Sequence, residues 1–262
     1  MDVTIVAVTA FLASGLTLYS GFGLGTLLLP AFALFFPVEA AVAATAVVHL
    51  LNNLFKSALL ARAADWPTVL RFGLPAVPAA ALGGWLLGLL GRSPPLFEWE
   101  AFGRGFAPTA AGITVGALMI LFALLELQAW FQRLSAPGRL LVPGGLATGF
   151  LGGLTGQQGA LRSIFLLKTG LDPARFIATG VMIAVLIDLS RLAAYAGSFS
   201  AASLPTGGRP GLLLAAGVAA AFAGAWLGAR YMHKATIGLV RRIVAGMMLA
   251  IGAALCGGLI GT

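Results

Sequence analysis

Ser20-Gly21-Phe22-Gly23-Leu24-Gly25-Thr26 interrupts the first long apolar stretch of the chain, and Thr155-Gly156-Gln157-Gln158-Gly159 interrupts a later one in the same way. Upstream of the first break the chain is apolar from Val3 to Ser20, but downstream only Leu24–Phe36 is left before Pro37. At 1.5 Å per residue that remnant reaches roughly 20 Å as a helix, against about 30 Å for the hydrocarbon core of a bilayer. The piece after the second break, Ala160–Leu167, is shorter still. Neither can cross a membrane alone. Each reads as a half-helix that enters and turns back, paired with the segment before it.

The rest of the chain demands a lipid solvent. Of 262 residues, 60% are hydrophobic and 9% charged, with a mean hydropathy of +1.00. A soluble domain carries about 25% charged residues, so these charges cannot coat a globular surface, and a disordered chain is equally excluded. The net charge of +8 invites a nucleic-acid reading. Position argues against it, because Arg62, Arg71, Arg133, Arg139, Arg230, Lys234, Arg241 and Arg242 fall singly or in pairs at the ends of apolar runs. That is how cytoplasmic loops of membrane proteins are built. The bias places Arg230–Arg242, Arg133/Arg139 and Arg62/Arg71 inside, with Phe36–Glu39 and both termini outside; the loop Gly91–Ala107, with Arg92 and Arg104 beside Glu98 and Glu100, fits less well. Met1-Asp2-Val3-Thr4 carries no basic stretch, so no cleaved signal peptide is expected.

Longer apolar segments at Val38–Leu60, Thr68–Leu90, Pro108–Phe131, Arg175–Gly197, Gly211–Arg230 and Ile237–Leu259 complete the plan. The two halves match in order. Ser14-Gly15 and Gly25 parallel Thr148-Gly149 and Gly159, and Ala44-Thr45 parallels Ala178-Thr179 at the same offset. After one residue of slippage Asn53-Leu54-Phe55-Lys56 aligns with Asp188-Leu189-Ser190-Arg191, and Gly83-Gly84-Trp85-Leu86 matches Gly224-Ala225-Trp226-Leu227. The expected fold is therefore all-α and polytopic, with two repeats, residues 1–136 and 137–262, in one integral membrane domain. Each repeat holds a broken, re-entrant helix pair and three transmembrane helices. An odd number of crossings per repeat inverts one against the other, which is the plan of secondary transporters with a substrate site near the midplane. Glycines such as Gly83, Gly84, Gly224 and Gly228 serve close helix packing instead.

The breaks suit an anion. Half-helices starting after them turn N–H groups and a positive dipole end toward the midplane. Gly21, Gly23, Gly25, Gly156 and Gly159 admit a ligand to the backbone, and Ser20, Thr26, Thr155, Gln157 and Gln158 offer donors to an oxyanion that must shed water. No Gly-Lys-Ser/Thr follows the first break, so it is not a nucleotide-binding loop. Thr45, His49, Asn52 or Asn53, and Lys56 share one helical face, as do Asp188, Arg191 and Tyr195. Ionisable groups inside a membrane mark a site or an internal pair. Asn53, Lys56 and Arg191 are read as substrate-binding, Lys56 being alternatively a snorkelling inner-end residue and Asp188–Arg191 a self-neutralising pair. His49 is a proton carrier or a neutral hydrogen-bonded residue, and His49 and Asp188 are each candidates for proton coupling. Arg162 starts the short second-half segment and is a further residue that can face a cavity. Cys256 is the single cysteine and a packing residue; with only two distant histidines, no metal site and no cofactor are expected.

The glycine-rich break with Pro30 downstream, the segment led by Ala44-Thr45, and their repetition as Gly152-Gly153 through Thr179-Gly180 resemble the TauE/SafE sulfite exporter family, over nearly the whole chain. The resemblance implies a bacterial-type permease of the plasma (inner) membrane that exports sulfite, sulfonates or related sulfur-containing anions, coupled to protons. A homodimer is compatible with it. An enzyme is not expected: there is no Gly-x-Ser-x-Gly, no His-Glu-x-x-His and no paired intramembrane carboxylates. The alternatives are an anion channel, a structural membrane subunit, or a family member that carries a different small solute.

Overall fold

Apolar runs in a lipid solvent must satisfy their backbone polar groups internally, and helices do so within one segment. The computed structural model describes residues 2–20, 24–101, 103–198, 208–231 and 237–261, and within these the side chains at 16–20, 24, 26–27, 228–231 and 237–241 are outside the description. The helices are α1 (Asp2–Ser20), α2 (Leu24–Ala33), α3 (Val38–Leu60), α4 (Trp66–Gly91), α5 (Ala110–Leu127), α6 (Ala129–Gln132), α7 (Leu141–Thr155), α8 (Gly159–Leu166), α9 (Pro173–Ser198), α10 (Gly208–Tyr231) and α11 (Ile237–Cys256). Five stretches of the described residues are long and apolar enough to cross a membrane: Val38–Ala63, Trp66–Gly91, Ala110–Leu127, Pro173–Ser198 and Gly208–Leu227. The all-α, multi-pass reading holds. One addition is a two-stranded ribbon, β1 (Trp99–Ala101) and β2 (Arg104–Phe106), in the loop between α4 and α5. Its Trp99 and Phe106 rings lie 4.7 Å apart, and Trp99 Nε1 donates to the carbonyl of Gly257.

Glycine contacts fix the helix directions. A Cβ placed on Gly145, Gly149 or Gly153 of α7 would lie 2.2, 2.3 and 2.1 Å from the carbonyl oxygens of Phe72, Ala76 and Ala80 of α4. The two backbones therefore touch, and their residue numbers rise together, so α4 and α7 are parallel. Likewise Gly73 meets Leu186, Ser190 Oγ donates to the carbonyl of Val77, and Gly84 meets Tyr195, so α9 runs with α4. Asp65 contacts Thr179 whereas His49 contacts Asp188, so α3 runs against α9. Gly217 lies against Val6 and Val48, Gly224 against Phe11, and Phe55 stacks on Phe222; α1, α3 and α10 are therefore parallel. Gly116 and Gly252 approach each other's carbonyls while Gly112 faces Leu255, which makes α5 and α11 antiparallel.

Both short helices double back. Gly144 faces the Phe165 ring and Gly152 faces Gln158, so α8 returns alongside α7. α2 lies between the parallel α1 and α3 and returns in the same manner. At 1.5 Å per residue the 10-residue α2 and 8-residue α8 extend about 15 and 12 Å, well short of a crossing. Every helix from α1 to α5 runs opposite to its counterpart from α7 to α11. Packing is reciprocal too: α4 of the first set rests on α7, and α10 of the second rests on α1.

The ends sort accordingly. At one end Arg175 Nη2 pairs with Asp65 Oδ1 at 2.6 Å, and Ala136 N donates to the carbonyl of Ile164. At the other, Arg92 donates to the Ser198 carbonyl, Arg209 pairs with Asp2, and Val38 N donates to the carbonyl of Gly261. The first end collects Arg62, Arg133, Arg139, Lys168 and Arg175; the second collects Arg92, Arg104 and Arg209 with Asp2, Glu39, Glu98 and Glu100.

Candidate functional site

The inward faces of α3 and α9 meet between the two re-entrant pairs. Thr45, His49, Asn52, Asn53 and Lys56 of α3 are all buried, as the shared helical face requires, and Asp188, Arg191 and Tyr195 of α9 are fully so. His49 Nδ1 lies 2.6 Å from Asp188 Oδ2, and Asn53 Nδ2 lies 3.1 Å from the same ring nitrogen and 3.5 Å from that carboxylate oxygen. Arg191 Nε donates to Asp188 Oδ1 at 3.0 Å, its Nη2 lies 2.8 Å from the same oxygen, and its Nη1 donates to the carbonyl of Gly152 at 3.3 Å. Tyr195 donates to the next carbonyl, Gly153. A carboxylate without water is tolerable only when paired and hydrogen-bonded, and Asp188 has both kinds of partner.

The second break closes the other side. α7 ends at Gly156, whose φ of 79° is a left-handed cap that a side chain would strain. A Cβ there would also sit 2.8 Å from Arg191 Nη1. Gln158 then bridges the site: its Nε2 donates to Asp188 Oδ1 at 3.0 Å, and its Oε1 accepts from Arg162 Nη1 at 3.2 Å. Gln158 occupies the cap position of α8 without a side-chain cap bond, so the first N–H groups of that helix face the break uncapped by it. Gln157 is 5% exposed, and among the described residues neither its Oε1 nor its Nε2 has a hydrogen-bond partner. A buried amide with both ends unsatisfied costs a few kcal/mol and points to a ligand that completes it.

The first break reaches the second. A Cβ on Gly25 would lie 2.8 Å from the carbonyl oxygen of Gly156 and 3.6 Å from the Thr45 methyl. Gly21 and Gly23 fall outside the described residues, as do the side chains of Ser20 and Thr26. Thr155 is buried, but its hydroxyl is spent within its own turn: it donates to Leu151 O at 3.0 Å and accepts from Gln157 N at 3.3 Å. Gly159 is buried at the start of α8. Lys56 is 6% exposed, which places it in the interior rather than at a wet helix end.

Of the residues expected at the site, the structure thus brings together Gly25, His49, Asn53, Lys56, Gly156, Gln157, Gln158, Gly159, Asp188 and Arg191. Asp188 and Arg191 do pair with each other, and His49 is the partner their spacing could not reveal. Arg162 is the residue that the sequence left at the margin and the structure draws in. Its signal was position: three residues past Gly159, a helical side chain reaches back toward the break. Ser14 Oγ donates to Asn52 Oδ1 at 3.0 Å, whereas the hydroxyl of its counterpart Thr148 has no partner among the described residues, since the position equivalent to Asn52 is Ile187.

Compared with known proteins, residues 6–255 match the family model described as "Sulfite exporter TauE/SafE". No curated protein matches the chain.

Proposed function

The chain belongs to the sulfite exporter TauE/SafE family, a family of membrane transporters, and from that premise we propose that it exports sulfite or a small sulfonate across the plasma (inner) membrane by alternating access. The protein is an integral, multi-pass membrane protein, and its family implies a small anion as cargo. The observation that carries the finer reading is the orphaned Gln157 amide where Gly25 of one re-entrant pair meets Gly156 of the other. Around it stand two guanidinium groups, Arg162 and Arg191, and among the described residues the carboxylate of Asp188 pairs with Arg191. A guanidinium that no carboxylate holds favours an anion that compensates it.

In this reading Gly25 and Thr155 to Gly159 form the floor of the site, with Asn53, Lys56 and Arg191 at its sides; Ser20, Gly21, Gly23 and Thr26 are proposed to bind the same anion. Residues 1–136 and 137–262 act as the two repeats, and rocking one against the other exposes the anion to each side in turn. The His49–Asp188 contact supplies a proton position: a proton held there adds one positive charge beside the anion, which couples the two. The test is flux of sulfite and methanesulfonate into proteoliposomes, with and without an imposed pH gradient. Saturable uptake that the gradient accelerates is expected. Uptake that never saturates assigns a channel, and no uptake of either anion refutes the reading.

A further inference from the structure

Resting on the anion site just proposed, we infer that Arg162, not Arg191, is the cation that grips the oxyanion, as a two-pronged fork beside the Gln157 amide. Arg191 is committed to Asp188: it is fully buried, its Nε donates to Asp188 Oδ1, its Nη2 lies 2.8 Å from the same oxygen as an ion pair without hydrogen-bond geometry, and its Nη1 donates to the Gly152 carbonyl. Its partner is three residues along the same helix, so the pair travels as one neutral unit. Arg191 is a positioning residue.

Arg162 is arranged differently. It makes one hydrogen bond, from Nη1 to Gln158 Oε1, and no carboxylate among the described residues lies within 4 Å of it. Nε and Nη2 are left over, and these two adjacent N–H edges match the spacing of two oxygens on a sulfite or sulfonate group. The guanidinium rests against α9 where residue 180 is glycine; a Cβ there would come within 3.4 Å of Nε. Its position is set from behind. Gln158 has its N–H end held by Asp188, so its oxygen must face Arg162, and the amide cannot turn over without losing both bonds. The first repeat has the fully buried Leu28 where the second has Arg162, so no guanidinium stands at the equivalent position.

The experiment uses the full chain purified in detergent, with sulfite and methanesulfonate as probes. Arg162→Gln should raise the Kd of both about tenfold or more, because a hydrogen bond to a charged group is lost, while the ligand-free melting temperature stays near that of the wild type. Arg162→Lys should recover part of the affinity, since it keeps the charge and loses the fork. A second measurement needs no variant. Methanesulfonate should slow phenylglyoxal modification of Arg162, read by mass spectrometry, in proportion to occupancy. A folded Arg162→Gln protein that binds within threefold of the wild type overturns the inference, and so does methanesulfonate that binds yet leaves the modification rate of Arg162 unchanged. Failure of the wild type to bind either anion overturns the proposed function itself, a result distinct from either of those.

Discussion

Asp188→Asn isolates the electrostatic logic of the core. The wild-type carboxylate is fully buried and accepts from Arg191 Nε and Gln158 Nε2, with His49 Nδ1 at 2.6 Å. The substitution keeps the shape but removes the charge, and the fully buried Arg191 is left with neutral partners only, the Gly152 carbonyl among them. Breaking a buried ion pair from one side costs about 3–5 kcal/mol. With roughly 2–4 °C of melting temperature per kcal/mol for a chain of this size, the expected drop is about 6–20 °C. Removing the stranded charge as well should reverse much of that, because a buried pair replaced by apolar side chains is often neutral. The double variant Asp188→Asn with Arg191→Met should therefore regain at least half of the loss. The assay is thermal unfolding in detergent at neutral pH, with all three proteins in the same buffer. An Asp188→Asn protein that melts within about 2 °C of the wild type, or a double variant no more stable than the single, would show that Arg191 does not depend on Asp188 and would refute the argument.

Gly25→Val and Gly159→Val should abolish sulfite binding, Gly25→Val with a loss of stability as well, since a side chain there strikes the Gly156 carbonyl at 2.8 Å; Gly84→Val, pressed against the Tyr195 ring and Ala194, should lower stability by about 1–3 kcal/mol with affinity intact. Calorimetry and melting on the three variants separate these, and intact binding in both break variants puts the site elsewhere. At the end shared by α4 and α9, hydrogen bonds from Thr68 above all, and the charge of Arg175, hold the Asp65 carboxyl below its usual range against the opposing pull of burial. A depressed folded pKa stabilises above the unfolded value of about 4 and fades as the pH falls through the lowered one. The melting-temperature gap between wild type and Asp65→Asn should thus be full at pH 7 and close below about pH 4; a gap independent of pH contradicts the tie. In a Cys256→Ala background, a cysteine at Arg139 should react with impermeant reagents only from the cytoplasm and one at Arg104 only from outside. Labelling of both from one side overturns the assignment of the two ends.

How much of this was legible beforehand depends on the range of the physics involved. Composition alone forces helices in lipid, because the chain has too few charges for any other solvent. The brevity of the pieces after Ser20 and Thr155 forces them to turn back, a matter of 1.5 Å per residue. The shared face of Thr45, His49, Asn53 and Lys56 follows from helical period, and all four are buried. What no period could supply is contact between segments distant in the chain. His49 meets Asp188 across 139 positions, and nothing local marks them as partners. That Asp188 consumes Arg191, that Gln158 is held at both ends while Gln157 is held at neither, and that Arg162 keeps two free edges all depend on sub-ångström placement of α3, α8 and α9. The ribbon at Trp99 and Phe106 is of the same kind, a loop ordered by a tryptophan that finds a carbonyl near the far end of the chain. Local periodicity and chain length are properties of the sequence by itself, so it determined the lipid-facing helical plan and the two breaks. Which charges cancel and which remain for a ligand is a property of distances across the fold, and only the tertiary structure decided it.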